Sequence, residues 1–290
     1  MMLMPPFQPN CRSAADADLL KAALGPGRRL AVVGGGYVGL EVASSARALG
    51  AEVVVIEREA RVLARVACAE LSEFYQRVHR AEGVGFELSA VVTALEGQGG
   101  HVAGVRMGDG RVLPCDVALI GVGAVPNQEL ALEAGLDCDN GVVVDGQART
   151  SDPAIFAVGD CTNRPLPLYN RRMRLESVPN VLEQARQAAA ALCGRPAPAP
   201  EVPWFWSDQY EVKLQIAGLP FDVAERVVRG NPDSGQFAVF HLSAEGLVQA
   251  VEAVNAPAEF MAGRQLIARR RTVAAAQLRD LSFNMKDLAA

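Results

Sequence analysis

The 290-residue sequence lacks several features that mark common classes of protein. Its six cysteines are scattered without a C-x-x-C pair, which disfavours a zinc ribbon or a dithiol redox centre and is typical of reduced thiols. Three histidines, His79, His101 and His241, lie far apart in the sequence, so we predict no metal site. The formal net charge of -5 argues against a general nucleic-acid or membrane-surface binder.

The sequence also lacks an apolar run long enough to span a membrane. Its opening, "MMLMPPFQPN", has no charged stretch followed by a long apolar one, so it makes a poor signal peptide. We therefore expect a cytoplasmic protein that binds neither membrane nor nucleic acid. With 50% hydrophobic residues, the chain can bury a sizeable core in more than one domain.

The stretch "LAVVGGGYVGLEVA", residues 30–43, predicts a strand, a glycine turn and the start of a helix. Gly34, Gly36 and Gly39 match the pattern G-x-G-x-x-G. In this pattern the glycines allow a tight turn, a close approach of the backbone to a pyrophosphate, and close packing of helix on strand. The pattern predicts a dinucleotide site, and the alternative is a glycine-rich turn without a ligand.

Glu57 ends the next predicted strand, where a carboxylate can accept hydrogen bonds from the adenosine ribose. The same carboxylate would repel a 2′-phosphate, which favours NADH over NADPH. Arg58 and Arg61 lie beside it and can weaken that preference. The chain therefore carries a candidate NAD(H) site.

A second candidate site lies in "TSDPAIFAVGDC", residues 150–161. We predict an apolar strand over 154–160 that ends in Gly159 and Asp160. An exposed aspartate at a strand end can accept hydrogen bonds from sugar-like hydroxyls. The alternative is an ordinary turn at the end of a strand.

Periodicity and capping residues predict the remaining elements. Ser13 and Ser177 are expected to cap helices over 11–26 and 177–193. The buried face of the second helix would consist of Val178, Val181, Leu182, Ala185, Ala189 and Leu192. Further helices are predicted at 37–49, 67–82 and 257–271, strands at 30–34, 52–57, 116–122, 141–146, 212–217, 222–229, 236–242 and 247–254, a hairpin turn at 108–110, a loop at 162–174 and a linker at 194–203.

Several stretches resemble one family of flavoproteins. "TSDPAIFAVGDC" is similar to the second FAD-binding motif of FAD/NAD-dependent enzymes like the pyridine nucleotide-disulfide reductases. "RLESVPNVLEQARQAA" (174–189) and "PWFWSDQYEVKLQIAG" (203–218) resemble the putidaredoxin-type ferredoxin and rubredoxin reductases that serve bacterial oxygenases and P450s. The resemblance covers nearly the whole chain, from about residue 15 to residue 285.

The resemblance implies an α/β fold with a Rossmann-like three-layer NAD-binding domain, a partial FAD-binding domain and a smaller α+β C-terminal domain. The expected segments are an N-terminal remnant (1–28), the NAD(H)-binding domain (29–148), a residual FAD-binding segment (149–200) and the C-terminal reductase domain (201–290). The family's first βαβ unit, which carries its own G-x-G-x-x-G and binds the ADP half of FAD, is not found in this sequence. We expect this chain to lack that unit.

The implied activity is that of a FAD-dependent oxidoreductase. It would pass electrons from NADH through the flavin to a small acidic iron–sulfur protein, a ferredoxin or rubredoxin. The resemblance assigns NAD(H) binding to Gly34, Gly35, Gly36, Tyr37, Val38, Gly39, Glu57 and Gly123, and flavin binding to Gly159, Asp160, Glu176, Ser177 and Val178.

Two residues are assigned catalytic roles by the same resemblance. Glu41 would contact the carboxamide end of the nicotinamide, and its alternative is a solvated helix residue. Trp206 would lie near the flavin edge or the electron exit. The alternative for Trp204, Phe205 and Trp206 is a core between domains.

Two arginine clusters, 171–174 and 269–271, are either a docking patch for an acidic ferredoxin or a solvated face. Three alternatives to an active reductase stay open. The first is an NADH-binding module or remnant without flavin chemistry. The second is one half of a split enzyme whose FAD unit is a separate polypeptide. The third is a start codon placed too late in the reading frame. A homodimer is also left open.

Overall fold

A computed structural model describes residues 13–289, which divide into two compact units. The first unit comprises the described chain up to Gly123 together with residues 207–213. The second comprises 124–206 and the chain from Leu214 onward. The predicted boundary at 148 therefore lies inside the second unit, and the four predicted segments stay a prediction.

The first unit begins with a capped helix. Ser13 accepts a hydrogen bond from the amide of Asp16, and the Asp16 carboxylate accepts one from the amide of Ser13, which confirms the predicted cap. The elements of this unit are α1 (Ala14–Ala23), β1 (Arg29–Val33), α2 (Tyr37–Ala48), β2 (Glu52–Ile56), α3 (Ala69–Ala81), β3 (Val84–Glu87), β4 (Val92–Gln98), β5 (His101–Met107), β6 (Val112–Pro114) and β7 (Val117–Ile120).

A four-stranded parallel sheet forms the centre of the first unit, in the order β3-β2-β1-β7. Helix α2 packs on β1 and β2. On the antiparallel sheet β4-β5-β6, Val105 and Met107 share a core with Ala31 and Ile56 of the parallel strands. This arrangement is the Rossmann-like core that the sequence predicts. Because its strands are parallel, the residues that follow β1, β2 and β7 all lie at one edge of the sheet.

The second unit contains the C-terminal α+β domain that the sequence predicts. Its elements are α4 (Glu129–Glu133), β8 (Val142–Val143), β9 (Thr162–Leu166), β10 (Arg171–Arg174), α5 (Val178–Leu192), β11 (Trp204–Gln209), β12 (Val212–Gly218), β13 (Glu225–Asn231), β14 (Gln236–Leu242), β15 (Val248–Val254), α6 (Pro257–Ala268), α7 (Ala275–Arg279) and α8 (Met285–Ala289). The segment that joins β11 to β12, with the strand ends beside it, belongs to the first unit.

The C-terminal strands form a five-stranded sheet in the order β11-β12-β15-β14-β13. Strands β12, β15, β14 and β13 pair antiparallel, and Val227, Phe240 and Val251 are fully buried among them. Phe260 and Leu266 of α6 complete this core. None of the described helices has both the length and the apolar character needed to cross a membrane.

Two predictions around the second candidate site are wrong. The expected strand over 154–160 is a turn with one isolated bridge, between Arg149 and Phe156. The expected loop over 162–174 contains the hairpin of β9 and β10, in the sheet β10-β9-β8. Pro165 is tolerated there because the pairing of β9 with β8 involves Thr162 and Asn163 and does not extend to Pro165.

The predicted buried face of α5 is also wrong. Val178 and Leu182 are 57% and 51% exposed, whereas Asn180, Glu183 and Gln184 are buried. The polar face is buried because it meets polar partners, above all the guanidinium of Arg164 on β9. Hydrophobic periodicity cannot foresee such partners, since they lie far away in the sequence.

Candidate functional site

The glycine loop after β1 leaves no room for side chains at two of its positions. Gly34 has φ of 109°, and a Cβ atom there would overlap the carbonyl oxygen of Gly121. A Cβ at Gly39 would overlap the carbonyl oxygen of Gly34. These two glycines therefore permit the tight turn and the close packing of α2 on β1, as the motif predicts.

Gly36 has a different environment, because among the described residues other than its two chain neighbours no atom lies within 4 Å of the position of an added Cβ. It is the N-cap residue of α2 and supplies no capping side chain. The amide groups of the first turn, with Tyr37 half-buried and Val38 exposed, follow directly. Open space at the positive end of a helix is the setting that binds a pyrophosphate, so the residues present fit a dinucleotide.

Glu57 follows β2 at the same edge of the sheet, and its carboxylate organises the glycine loop. Oε2 accepts a hydrogen bond from the amide of Gly35 at 2.6 Å, and Oε1 accepts one from the amide of Glu59 at 2.9 Å. An ionised carboxylate has about four acceptor sites. Two therefore stay available for ribose hydroxyls.

The two arginines beside Glu57 are held by groups of the first unit. Arg61 donates hydrogen bonds to the carbonyl oxygens of Ala64, Ala67 and Cys68 and to the Ser72 hydroxyl. Arg58 pairs with Glu59 at 3.1 Å. A 2′-phosphate could recruit Arg61 only by breaking these bonds.

Glu41 lies on α2, half-buried and hydrogen-bonded. The Ser207 hydroxyl donates to its Oε1 at 2.6 Å. Burial raises the pKa of Glu41, the bond from Ser207 opposes this, and the charge of Asp208 adds to the rise. Gly123, with φ of 109°, is exposed beyond β7 at the same sheet edge as the glycine loop.

In the second unit, helix α5 holds the turn at Gly159. This glycine has φ of 90° and donates its amide hydrogen to Oε1 of Gln184 at 2.7 Å. The Thr162 hydroxyl donates to the same oxygen at 3.0 Å. Asp160 follows with an exposed side chain. The turn therefore presents the carboxylate to solvent on a fixed backbone.

The start of α5 carries the other residues expected to bind flavin. Ser177 accepts a hydrogen bond from the amide of Asn180 at 3.3 Å, which confirms that it caps the helix. Glu176 is exposed and pairs with Arg174, which also donates to the carbonyl oxygen of Asp160 at 3.3 Å. Together with exposed Val158 and Val178, these groups fit part of a flavin nucleotide, with polar atoms for its chain and apolar surface for its ring.

The aromatic run on β11 is divided between two environments. Trp204 is partly buried and packs against the core of the second unit, with its ring 5.8 Å from that of Phe260. Trp206 is 45% exposed, with its ring 5.7 Å from that of Trp204. Within the second unit, Trp204 thus lies at the margin of the core, whereas Trp206 is a surface residue.

Arginines of both clusters form hydrogen bonds or ion pairs with neighbouring groups of the second unit. Arg171 pairs with Asp222 and lies over the ring of Phe221. Arg172 donates to the carbonyl oxygens of Val144 and Asn163. Arg269 and Arg270 donate to carbonyl oxygens as well, those of Ala289 and Leu168. These guanidinium groups are oriented by the fold rather than only solvated.

Comparison with known proteins decides the family. Residues 4–190 match the model of the pyridine nucleotide-disulphide oxidoreductases, and residues 204–289 match that of the reductase C-terminal domain. The chain belongs to the pyridine nucleotide-disulphide oxidoreductase family. This membership confirms the resemblance and implies the use of FAD and NAD(H).

Named relatives support the same assignment. The chain is 56% identical to a probable ferredoxin reductase of Castellaniella defragrans, over 94% of this chain and 67% of that protein. It is 42% identical to the putidaredoxin reductase of Pseudomonas putida, over 96% and 66%. A crystal structure of a covalent putidaredoxin reductase–putidaredoxin complex matches with a TM-score of 0.92 at 42% identity, over 96% of this chain and 67% of that one. The chain thus spans about two thirds of the length of these family members.

Two residues that the sequence did not predict form hydrogen bonds to predicted site residues. Ser207 bonds Glu41, and Gln184 bonds Gly159. A signal for Gln184 was present, because Asn180, Glu183, Gln184 and Gln187 recur at helical spacing on the buried face of α5. No local pattern signals Ser207, since its partner is remote in the sequence.

Proposed function

We propose that the chain is an NADH-dependent, FAD-dependent reductase that passes electrons to a small acidic iron–sulfur protein of the ferredoxin or rubredoxin type. The observation that carries this proposal is the open space at Gly36, at the N-terminus of α2, beside the Glu57 carboxylate. The named ferredoxin reductases among the relatives support it.

The first unit would bind NADH. The amides of Gly36, Tyr37 and Val38 would donate to the pyrophosphate, Gly35 would hold the loop through its bond to Glu57, and Gly34 and Gly39 would shape the turn. Glu57 would accept hydrogen bonds from the adenosine ribose, and Gly123 would border the bound nucleotide beyond β7. Glu41 would accept a hydrogen bond from the nicotinamide carboxamide.

The second unit would hold FAD through Gly159, Asp160, Glu176, Ser177 and Val178. Asp160 presents an exposed carboxylate for the hydroxyls of the ribityl chain. The capped N-terminus of α5 offers its positive end to an electron-rich carbonyl of the ring, with Glu176 and Val178 at its side. Bound FAD supplies the step from a two-electron donor to a one-electron acceptor. Exposed Trp206 is the aromatic group proposed for the flavin edge or the electron exit.

The proposed partner is acidic because the arginines at 171–174 and 269–271 form local basic clusters on an acidic chain. One structural relative is a putidaredoxin reductase solved in a covalent complex with putidaredoxin. Arg171 and Arg270 are oriented by Asp222 and by the carbonyl oxygen of Leu168. Such fixed cations would steer an acidic protein to this unit.

The deciding experiment is a visible absorption spectrum of the purified chain after incubation with FAD and desalting. Flavin bands that bleach anaerobically with NADH are the expected result. A colourless protein that still binds NADH would reduce the function to that of an NADH-binding module, or of one half of a split enzyme. Addition of a separately produced FAD-binding unit would distinguish these two outcomes.

A further inference from the structure

A chain of four hydrogen bonds runs through the first unit and ends on Glu41. The Tyr210 hydroxyl lies 3.3 Å from Nδ1 of His79, and Nε2 of His79 lies 2.9 Å from Oε1 of Gln209. Nε2 of Gln209 donates to the Ser207 hydroxyl at 3.0 Å, and that hydroxyl donates to Oε1 of Glu41 at 2.6 Å. The three middle residues are almost fully buried, with exposures of 0%, 0% and 1% for His79, Gln209 and Ser207.

The four hydrogen bonds all run in one donor-to-acceptor direction. With Ser207 donating to Glu41, Gln209 must donate to Ser207 and accept from His79. The proton of neutral His79 is then on Nε2, and Nδ1 accepts from Tyr210. Burial lowers the pKa of His79, which keeps the ring neutral as this arrangement requires. Every donor in the chain therefore points toward the Glu41 carboxylate.

This series of hydrogen bonds holds only one of the two carboxylate oxygens of Glu41. Among the described residues, no hydrogen bond reaches Oε2 of Glu41, and the carboxylate is only half-buried. A carboxylate fixed at one oxygen and available at the other is arranged to accept from a ligand. Glu41 lies on α2, the helix that starts at the glycine loop.

We propose that Tyr210, His79, Gln209 and Ser207 are positioning residues that hold Glu41 ionised and oriented as the acceptor for the nicotinamide carboxamide of NAD(H). This inference deepens the proposed function and rests on NAD(H) binding at the glycine loop. It assigns a role to a buried histidine and to the 207–213 segment that the motif itself does not involve.

Other titratable groups change the pKa of residues at the two ends of this series of hydrogen bonds. Asp208 raises the pKa of Glu41, and the Tyr75 phenol is close enough for Glu41 and Asp208 to raise the pKa of Tyr75. At the other end, Glu82 opposes the lowering of the pKa of His79. Removal of the Ser207 hydroxyl takes away the hydrogen bond that lowers the pKa of Glu41, so that pKa must rise.

The first test uses the protein without nucleotide. Carboxyl-13C glutamate labelling would follow the titration of Glu41, with its resonance assigned by its loss in Glu41→Gln. Ser207→Ala is expected to raise the pKa of Glu41, and Ser207→Thr, which keeps a hydroxyl, should restore it. The matched control is Ser44→Ala, since the buried Ser44 hydroxyl donates to the backbone carbonyl of Glu41 and not to its carboxylate.

The second test measures binding of NAD+ by calorimetry across pH, since NADH decomposes in acid. Affinity should be full above the pKa of Glu41 and fall as the pH drops through it. Ser207→Ala should move this fall to higher pH and weaken binding by about tenfold within the shifted range. Glu41→Gln should remove the pH dependence. The His79 ring, observed by 15N resonances, should carry its proton on Nε2 at neutral pH.

Three results would overturn the inference. These are a proton on Nδ1 of His79, an unchanged titration of Glu41 in Ser207→Ala, or an equal change in Ser44→Ala. Failure of the proposed function gives a different result. If the wild-type chain binds neither NAD+ nor NADH while Ser207→Ala still shifts the Glu41 titration, the hydrogen-bond chain stands and the nucleotide role falls.

Discussion

The carboxylate of Glu57 accepts a hydrogen bond of 2.6 Å from the amide of Gly35, inside the glycine loop. One side chain at the end of β2 thereby fixes the loop after β1 and offers its remaining acceptor sites to a ligand. We expect Glu57→Ala to weaken NADH binding by about tenfold, because it loosens the loop and removes a ribose acceptor. Fluorescence titration with NADH would measure the change.

The same substitution should weaken the discrimination against NADPH, since it removes the negative charge near the 2′-position. The control is Glu52→Ala at the exposed start of β2, which should leave both affinities unchanged. If Glu57→Ala leaves NADH affinity unchanged, Glu57 is not the ribose ligand.

Substitution of two glycines of the loop should affect different properties, NADH binding at Gly36 and stability at Gly39. Gly36 has φ of -79° and open space at its Cβ position, so Gly36→Ala should fold normally and lose NADH affinity by at least about tenfold through a clash with the pyrophosphate. Gly39→Ala should lower the free energy of unfolding by about 3 kcal/mol, because its Cβ overlaps the carbonyl of Gly34.

Urea unfolding and NADH titration of both variants would separate these effects. Gly25→Ala is the matched control, as its Cβ position is also open and it lies outside the loop. Equal NADH affinity in Gly36→Ala and Gly25→Ala would show that no ligand approaches Gly36.

The sequence predicted the first unit well because its signals are local. The continuous apolar runs of β1 and β2, the glycine spacing and Glu57 all lie within one βαβ segment, and the structure places the glycine loop and Glu57 at one sheet edge. It predicted the turn at Gly159 poorly. That turn is held by Gln184 on a helix whose buried face is polar, and its residues 154–160 are apolar without forming a strand. Burial of polar groups depends on remote partners, which periodicity does not reveal.

The Asp160 side chain can be tested by flavin retention. If its exposed carboxylate binds the ribityl chain, Asp160→Ala should lower the FAD retained after desalting by about tenfold. Gln184→Leu should lower it as well, since Gly159 would lose its acceptor and the turn its fixed geometry. The control is Asp139→Ala, another exposed aspartate of the second unit. Retention equal to that of wild type in Asp160→Ala would remove this residue from the site.

The ion pair of Arg164 and Glu183 tests the buried polar face of α5. The guanidinium contacts both carboxylate oxygens, at 2.7 and 3.0 Å, and both side chains are over 90% buried. Arg164→Met leaves Glu183 charged and without its main partner, so the free energy of unfolding should fall by about 3 kcal/mol. The double variant Arg164→Met with Glu183→Leu should recover most of this loss, because no buried charge is left alone at the site.

Urea unfolding followed by circular dichroism would measure these differences. Asp222→Asn is the matched control, because it breaks the exposed pair with Arg171, and it should cost less than about 1 kcal/mol. Arg164→Met should also reduce flavin retention if α5 is what orients the turn at Gly159. A large loss of stability with full flavin retention would separate the two roles and assign Arg164 to folding alone.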